Sequence, residues 1–311
     1  MNLTAMTQPL RPLHLWSAIG LPAPQSLIEV HFRDDRAQRE VTGNQVVLSL
    51  APLLIGIGGL APPAARDGRS ELVFRDRGTG VELGVLQLAE DGSLSAGDRT
   101  LSCHRVLGGL HHCLPAPLRL WQSWLQMRHR DTGSPFRMSQ AALQHLAVFY
   151  ICPRPVVLVS VEHGDHSNLF PMDLIGPLDD EYFVLALRST SASVPAMANG
   201  RHVALADVSV TDRSLAYALG RHHRGPAIDW NALPCAVERS GSFGLRVPAR
   251  ALRVRECEIV THEPRGSHTV FVCKVRSDES RSQAPGLFHT SGIHQAWRRR
   301  RGALPWQEPP P

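Results

Sequence analysis

Six apolar, β-type stretches follow one another between residues 155 and 275, and no other feature constrains the fold of this chain as tightly. They are 155–161 (PVVLVSV), 182–187 (YFVLAL), 202–208 (HVALADV), 244–247, 252–261 and 269–275. Helical segments are short: 139–146, N-capped by Ser139, precedes the first, and 211–219 lies between the third and the fourth. A parallel sheet needs strands that alternate with long amphipathic helices. That rhythm is absent, so the pattern predicts a mainly β fold closed as an antiparallel barrel.

The first half is also β-rich. Stretches 27–32, 46–50, 71–74 and 82–88 carry strand character, and Asp91-Gly92 after the last reads as a hairpin turn. Leu118, Trp121 and Leu125 have helical spacing, and the polar run 128–135 (RHRDTGSP) reads as a boundary. The expected division is a β-rich N-terminal domain of unknown fold over 1–135, with a Pro-rich arm over 1–25. A barrel over 136–285 and an Arg/Pro-rich tail over 286–311 follow. No internal repeat is strong enough to assert, but two β-rich halves leave a degenerate duplication open.

Composition excludes several classes. With 43% hydrophobic and 20% charged residues over 311 positions, the chain can bury a sizeable core. The net charge of +5 is mild, and Lys274 is the only lysine. The cluster Arg298–Arg301 reads as a solvated terminal run rather than a nucleic-acid arm, so no nucleic acid is expected. Residues 46–65 are uncharged but hold Pro52, Pro62, Pro63, Gly56, Gly58 and Gly59. They fit a buried strand followed by a Gly/Pro loop better than a membrane span. Gly56-Ile57-Gly58-Gly59 lacks the third glycine and the following helix of a dinucleotide fingerprint. No signal-peptide pattern is evident at the start. Six cysteines without a CxxC pair point to reduced thiols and a cytoplasmic protein. Cys103, His104, His111, His112 and Cys113 have zinc-ligand chemistry, but their spacing matches no standard finger. The intervening 107–110 reads as a loop, so no metal site is expected.

Three segments, in order, resemble the flavin reductase-like domain. The first is 152–178, with Arg154-Pro155 on a strand and then Ser167-Asn168-Leu169-Phe170-Pro171. The second is 183–197 (FVLALRSTSASVPAM). The third is 243–275, with Gly244, Ala251-Leu252, Glu256-Cys257 and Gly266-Ser267-His268. The resemblance covers about 137–280 and implies an FMN-binding split β-barrel of Greek-key antiparallel type. It also implies FMN as cofactor, with FAD as an alternative, NAD(P)H as co-substrate, and a homodimer. A monooxygenase fed with reduced flavin is the implied partner. Phe170, Met172-Asp173, Cys273 and Lys274 depart from the family pattern.

Flavin binding requires an anion site, backbone donors beside the ring, and an open ring face. Arg188, Ser189, Thr190, Ser191 and Ser193 carry hydroxyls, amides and one cation before a short helix, which suits a phosphate. By resemblance, Arg154, Pro155 and Ser167 to Pro171 are cofactor-binding, with 167–171 running beside the ring, and His268 is the catalytic candidate near flavin and nicotinamide. The leading expectation is an NAD(P)H-dependent flavin oxidoreductase acting on a small-molecule substrate. The alternatives are a flavoenzyme with tightly held FMN serving a dedicated substrate, and a non-catalytic barrel binding flavin or another planar ligand.

Overall fold

The computed structural model describes residues 16–22, 27–60, 69–115, 117–118, 138–220, 225 and 227–302. The expected boundary at 128–135 and most of the helical stretch 118–127 lie outside these residues. So does most of the Pro-rich arm.

Strand β1 (Trp16–Leu21) opens the described chain. The next seven strands form one antiparallel sheet. They are β2 (Ile28–Arg33), β3 (Gln38–Glu40), β4 (Gln45–Leu50), β5 (Leu53–Gly58), β6 (Ser70–Asp76), β7 (Glu82–Ala96) and β8 (Arg99–His111). Their order across the sheet is β3-β2-β6-β7-β8-β5-β4. Helix α1 (Gln140–Phe149) then leads into the second half, and Ser139 caps it by accepting a hydrogen bond from the Ala142 amide.

The second half begins with β9 (Arg154–Pro155), β10 (Val157–His163), β11 (His166–Met172), β12 (Ile175–Pro177) and β13 (Tyr182–Arg188). Helix α2 (Ser193–Gly200), β14 (His202–Asp207) and α3 (Arg213–Leu219) follow, then the short pair β15 (Val237–Arg239) and β16 (Arg246–Pro248). The long hairpin β17 (Arg253–Arg265) and β18 (His268–Ser280) precedes β19 (Gly286–Ser291) and α4 (Gly292–Arg300). The second seven-stranded antiparallel sheet runs β11-β10-β14-β17-β18-β13-β12. The mainly β, curled-barrel architecture expected of this half is therefore present.

Period-two burial places each sheet between cores. Val159, Leu185, Leu205, Cys257 and Phe271 fill the interior of the second barrel, and Ala196 and Met197 of α2 close it. Leu158, Leu169, Ala204 and Val254 point to the opposite face, under α3 and the 237–251 segment. The first barrel is filled by Phe32, Ile55, Ile57, Leu72 and Leu86, with Val148 and Phe149 of α1 added to it. A fourth core joins the halves: Leu48, Leu54, Leu101 and Cys103 pack against Tyr182, Val184, Val270 and Val272.

Several local expectations change. Leu107 to Leu110 are not a loop but part of β8. A Cβ on Gly109 would lie 2.7 Å from Leu86 and 3.0 Å from His145, so the glycine lets α1 lie close on the strand. Asp91-Gly92 sits within β7, beside a bulge between Glu90 and Ser93, and the hairpin turns at Gly97-Asp98 instead. Gly56 and Gly58 belong to a second strand paired with β4, not to a loop. Residues 286–300, assigned to the tail by composition, form β19 and α4. Strand β19 pairs with both β1 and β9. Among the described residues no helix is long and apolar enough to cross a membrane.

Candidate functional site

The ends of β11, β13 and β18 meet at a cavity of about 270 Å³. Its walls are mostly apolar: Phe170, Pro171, Met172 and Leu174 from β11 and its exit, and Ala186 and Leu187 from β13. Leu146 and Tyr150 come from α1 and its end, and Leu50 comes from the first half of the chain. Arg188 and His268 line the same cavity and are paired across β13 and β18. An apolar slot with a few convergent polar groups is the usual form of a small-molecule site.

His268 is buried, and its Nδ1 lies 2.8 Å from Ser267 Oγ. Burial, with the Arg188 charge adding to it, pushes its pKa down to about 4, so the ring is neutral at pH 7. Asp173 lines the same cavity. Its Oδ2 accepts hydrogen bonds from Tyr150 Oη at 2.7 Å and from His289 Nδ1 at 2.7 Å. Burial alone would raise the Asp173 pKa. The bonds from His289 and Tyr150 outweigh it and hold the carboxyl below its ordinary value. Burial and the Asp173 charge push the Tyr150 phenol well up. His289 Nε2 lies 3.2 Å from the hydroxyl of Tyr217, which is 47% exposed. A hydrogen-bonded path thus runs from the surface through Tyr217, His289 and Asp173 to the cavity wall.

The residues singled out from the sequence divide into two sets. Phe170, Pro171, Arg188 and His268 share the cavity. The rest of 167–171 is not a loop beside it. Ser167, Asn168 and Leu169 lie in β11, hydrogen-bonded to β10. Ser167 Oγ accepts from Trp230 Nε1 at 2.7 Å, Asn168 Nδ2 donates to the Gly225 carbonyl at 3.0 Å, and Leu169 is buried on the far face. Arg154 is buried too, and its Nη2 donates to the carbonyls of Gln45 and Ile175, so it ties β4 to β12. Pro155 pairs with Phe288 in the small sheet.

The hydroxyl run after Arg188 is largely engaged inside the chain. Ser189 Oγ lies 3.0 Å from Thr269 Oγ1, and the Ser189 amide donates to the Ser267 carbonyl. Ser191 Oγ accepts from the Ser193 amide, and Ser193 Oγ lies 3.0 Å from His166 Nε2. Thr190 is exposed. The anion site these residues can offer is therefore narrower than their number suggests.

Cys103 faces the core shared by the two halves, whereas His104 packs on Phe32 at 5.3 Å. His111 Nε2 bonds Ser291 Oγ at 3.1 Å. Among the described residues no three His, Cys, Asp or Glu side chains are grouped to hold a metal ion.

The family model of the flavin reductase like domain matches residues 149–296. This part of the chain is a flavin reductase like domain. Both the cavity and the β17–β18 hairpin lie within it. No curated protein matches the chain. Solved structures similar to it include an NADH:FAD oxidoreductase of Streptomyces globisporus, with 17% identity and a TM-score of 0.43 over 51% of this chain and 95% of that one. The flavin reductase component of a bacterial two-component tryptophan halogenase has 18% identity and a TM-score of 0.41, over 47% and 91%. An FMN-binding protein of Thermus thermophilus has 20% identity and a TM-score of 0.37, over 42% and 73%.

Asp173, Tyr150, His289 and Leu50 escaped the sequence reading. Asp173 was legible only as a departure from the family pattern. The other three are distant in the chain and meet it only through the fold.

Proposed function

We propose that the flavin reductase like domain binds FMN in the cavity between β11, β13 and β18 and oxidises NAD(P)H. The observation that carries this reading is the joint placement of Arg188, His268 and Asp173 around an apolar slot inside the matched domain. The residues fit the cofactor. Phe170, Leu174 and Leu187 offer apolar contact to a planar ring, and Arg188 with Thr190 offers charge and a hydroxyl to a phosphate. A bound flavin supplies acceptance of a hydride from the nicotinamide and return of two electrons to an acceptor.

The chain's own groups orient and handle protons. His268 lines the slot as a neutral ring and adds no positive charge to it. Asp173 stays ionised and holds the Tyr150 proton at Oη and the His289 proton at Nδ1. Tyr217 connects His289 to solvent, so a proton taken from the wall can be replaced without opening the site. FMN rather than FAD, a small-molecule acceptor and a monooxygenase partner belong to the same proposal. All six cysteines are free thiols, five of them buried, which supports a reducing, cytoplasmic setting.

A second reading, FMN held tightly for a dedicated substrate, is favoured by Leu50, which closes one wall from outside the domain. Absorbance spectra of the purified protein with FMN, before and after anaerobic NADH or NADPH, test both. Bleaching of bound flavin is expected. Retention of the yellow colour through gel filtration selects the second reading. A protein that neither binds FMN nor oxidises NAD(P)H contradicts both and leaves a non-catalytic barrel.

A further inference from the structure

The two seven-stranded sheets have the same connectivity. Substituting β10, β11, β12, β13, β14, β17 and β18 for β2 to β8, in order, turns β3-β2-β6-β7-β8-β5-β4 into β11-β10-β14-β17-β18-β13-β12. The match extends to single residues. In the long hairpins the last pair before the turn is Ala96 with Arg99 in one and Arg265 with His268 in the other. Counting back from these, the outer bulge falls between Gln87 and Leu88 in β7 and between Glu256 and Cys257 in β17. Opposite them stand Gly108 and Val106 in one hairpin, Ser277 and Val275 in the other. These are the same positions at one constant spacing. The inner bulges begin at the equivalent residues Glu90 and Ile259. Bulges mark a particular strand pairing and are kept within families, so two at matched positions are poorly explained by chance.

The cores follow the same correspondence. Phe32, Ile57, Leu72 and Leu88 fill the first barrel, and their counterparts Val159, Leu185, Leu205 and Cys257 fill the second. Leu101 and Cys103 meet their own counterparts, Val270 and Val272, in the core between the halves. Contacts at the rims are reciprocal. The Gly266-Ser267 turn sits on the β4–β5 turn, where the Ser267 amide donates to Ser49 Oγ and the Ala51 amide to Ser267 Oγ, both at 3.1 Å. The equivalent Gly97-Asp98 turn sits by the β12–β13 turn, where Arg99 Nε meets Asp179 Oδ2 at 2.8 Å. Reciprocal contact of equivalent patches is the mark of a two-fold interface.

We infer that the first half is a second, diverged copy of the flavin reductase like barrel, fused in the place of a partner subunit, and that only one of the two equivalent sites still binds a ligand. The equivalent positions differ at the groups that make the cavity. Glu40 stands for Pro171, Thr42 for Asp173, Leu60 for Arg188 and Arg99 for His268. Leu60 is buried in the first core, and Arg99 is taken by Asp179. The first copy instead serves the second: Leu50 lines its cavity, and Ser49 holds Ser267 beside His268.

The one-site part of this inference rests on the proposed flavin reading; the fused-dimer part does not. Light scattering at micromolar concentration should give the mass of one chain, and a two-chain mass would overturn the fused dimer. FMN titration should saturate at one per chain. Two per chain would overturn the single site, and none would overturn the flavin reading while the mass still decides the first point. A Cβ on Gly266 would lie 2.5 Å from Ser49 Oγ and 2.7 Å from the Ala51 carbonyl. Gly164 has nearly the same φ, +57° against +54°, with nothing within 4 Å. Gly266→Ala should therefore lower the melting temperature well beyond Gly164→Ala. Equal effects would mean that the seat between the copies contributes nothing.

Discussion

The two barrels share strand order, bulges and interior positions, yet only the second surrounds a cavity with Arg188, His268 and Asp173. The first has Leu60, Arg99 and Thr42 at those positions. Pleated pairing and apolar alternation preserve a fold with little regard for side-chain identity, because any aliphatic residue of suitable volume fills the interior. A site depends on a few polar groups at strand ends, and these can be lost one at a time without disturbing the sheet.

The largest effect expected on stability comes from a residue that joins the copies. Arg154 is buried and donates to the carbonyls of Gln45 in one and Ile175 in the other. Arg154→Ala should cost roughly 3 kcal/mol, from two hydrogen bonds made by a charged group, read as a lower denaturation midpoint. An unchanged midpoint would mean that Arg154 adds nothing to the seam and that the apolar core and the rim contacts hold the copies.

Next is acid sensitivity inside the first copy. His104 is buried, both ring nitrogens lack a hydrogen-bond partner, and burial pushes its pKa down to about 4. The unfolded chain takes up a proton near the ordinary value of 6.5, while the folded ring stays neutral until about pH 4. Stability therefore falls as pH drops from 6.5 to 4, by on the order of 2–3 kcal/mol from this group. His104→Cys gives the first copy the residue its counterpart Cys273 provides, and should make melting temperature fall less steeply over that window, leaving the share that buried His268 contributes. A slope identical to the parent would assign the acid loss to other groups.

Substitutions at equivalent strand ends should separate the two sites. Arg188→Leu is expected to weaken FMN binding by roughly ten- to a hundredfold, the value of a charge-assisted hydrogen bond. Arg99→Leu, at the His268 position of the first copy, should leave it unchanged in the same titration. Equal losses would place ligand contacts in both copies. The smallest effect is expected at Asp173. Asp173→Asn should cost about 1 kcal/mol of stability, while shifting the pH profile of NAD(P)H oxidation as His289 and Tyr150 lose their ionised acceptor. An unaltered profile would remove the path through Tyr217 from the mechanism.

The barrel was legible in the sequence because 155–161, 182–187 and 202–208 are strands buried on both faces and read as continuous apolar runs. The cap Ser139 marked its helix for a local reason: its side-chain oxygen accepts from a helix-start amide three residues on. Short or polar strands such as β3 and β11 carry no such signal. Glycines in β5 and β8 looked like loop residues because the helix and partner strands they make room for are far away in the chain. The duplication was hidden because interior positions kept only their apolar character, as at Phe32 and Val159 or Leu88 and Cys257. At the site, Arg188, His268, Phe170 and Pro171 were reachable through resemblance. Tyr150, His289 and Leu50 were not: Tyr150 and Leu50 reach the cavity, and His289 reaches Asp173, from elements outside the motifs.

The most direct test of the central claim is a crystal structure of the protein with FMN. The account predicts one flavin per chain, its ring in the cavity lined by Phe170, Leu187, His268 and Leu50, with Arg188 toward the phosphate. A flavin bound at Thr42, Leu60 and Arg99 of the first copy, or bound only between two chains, would contradict it.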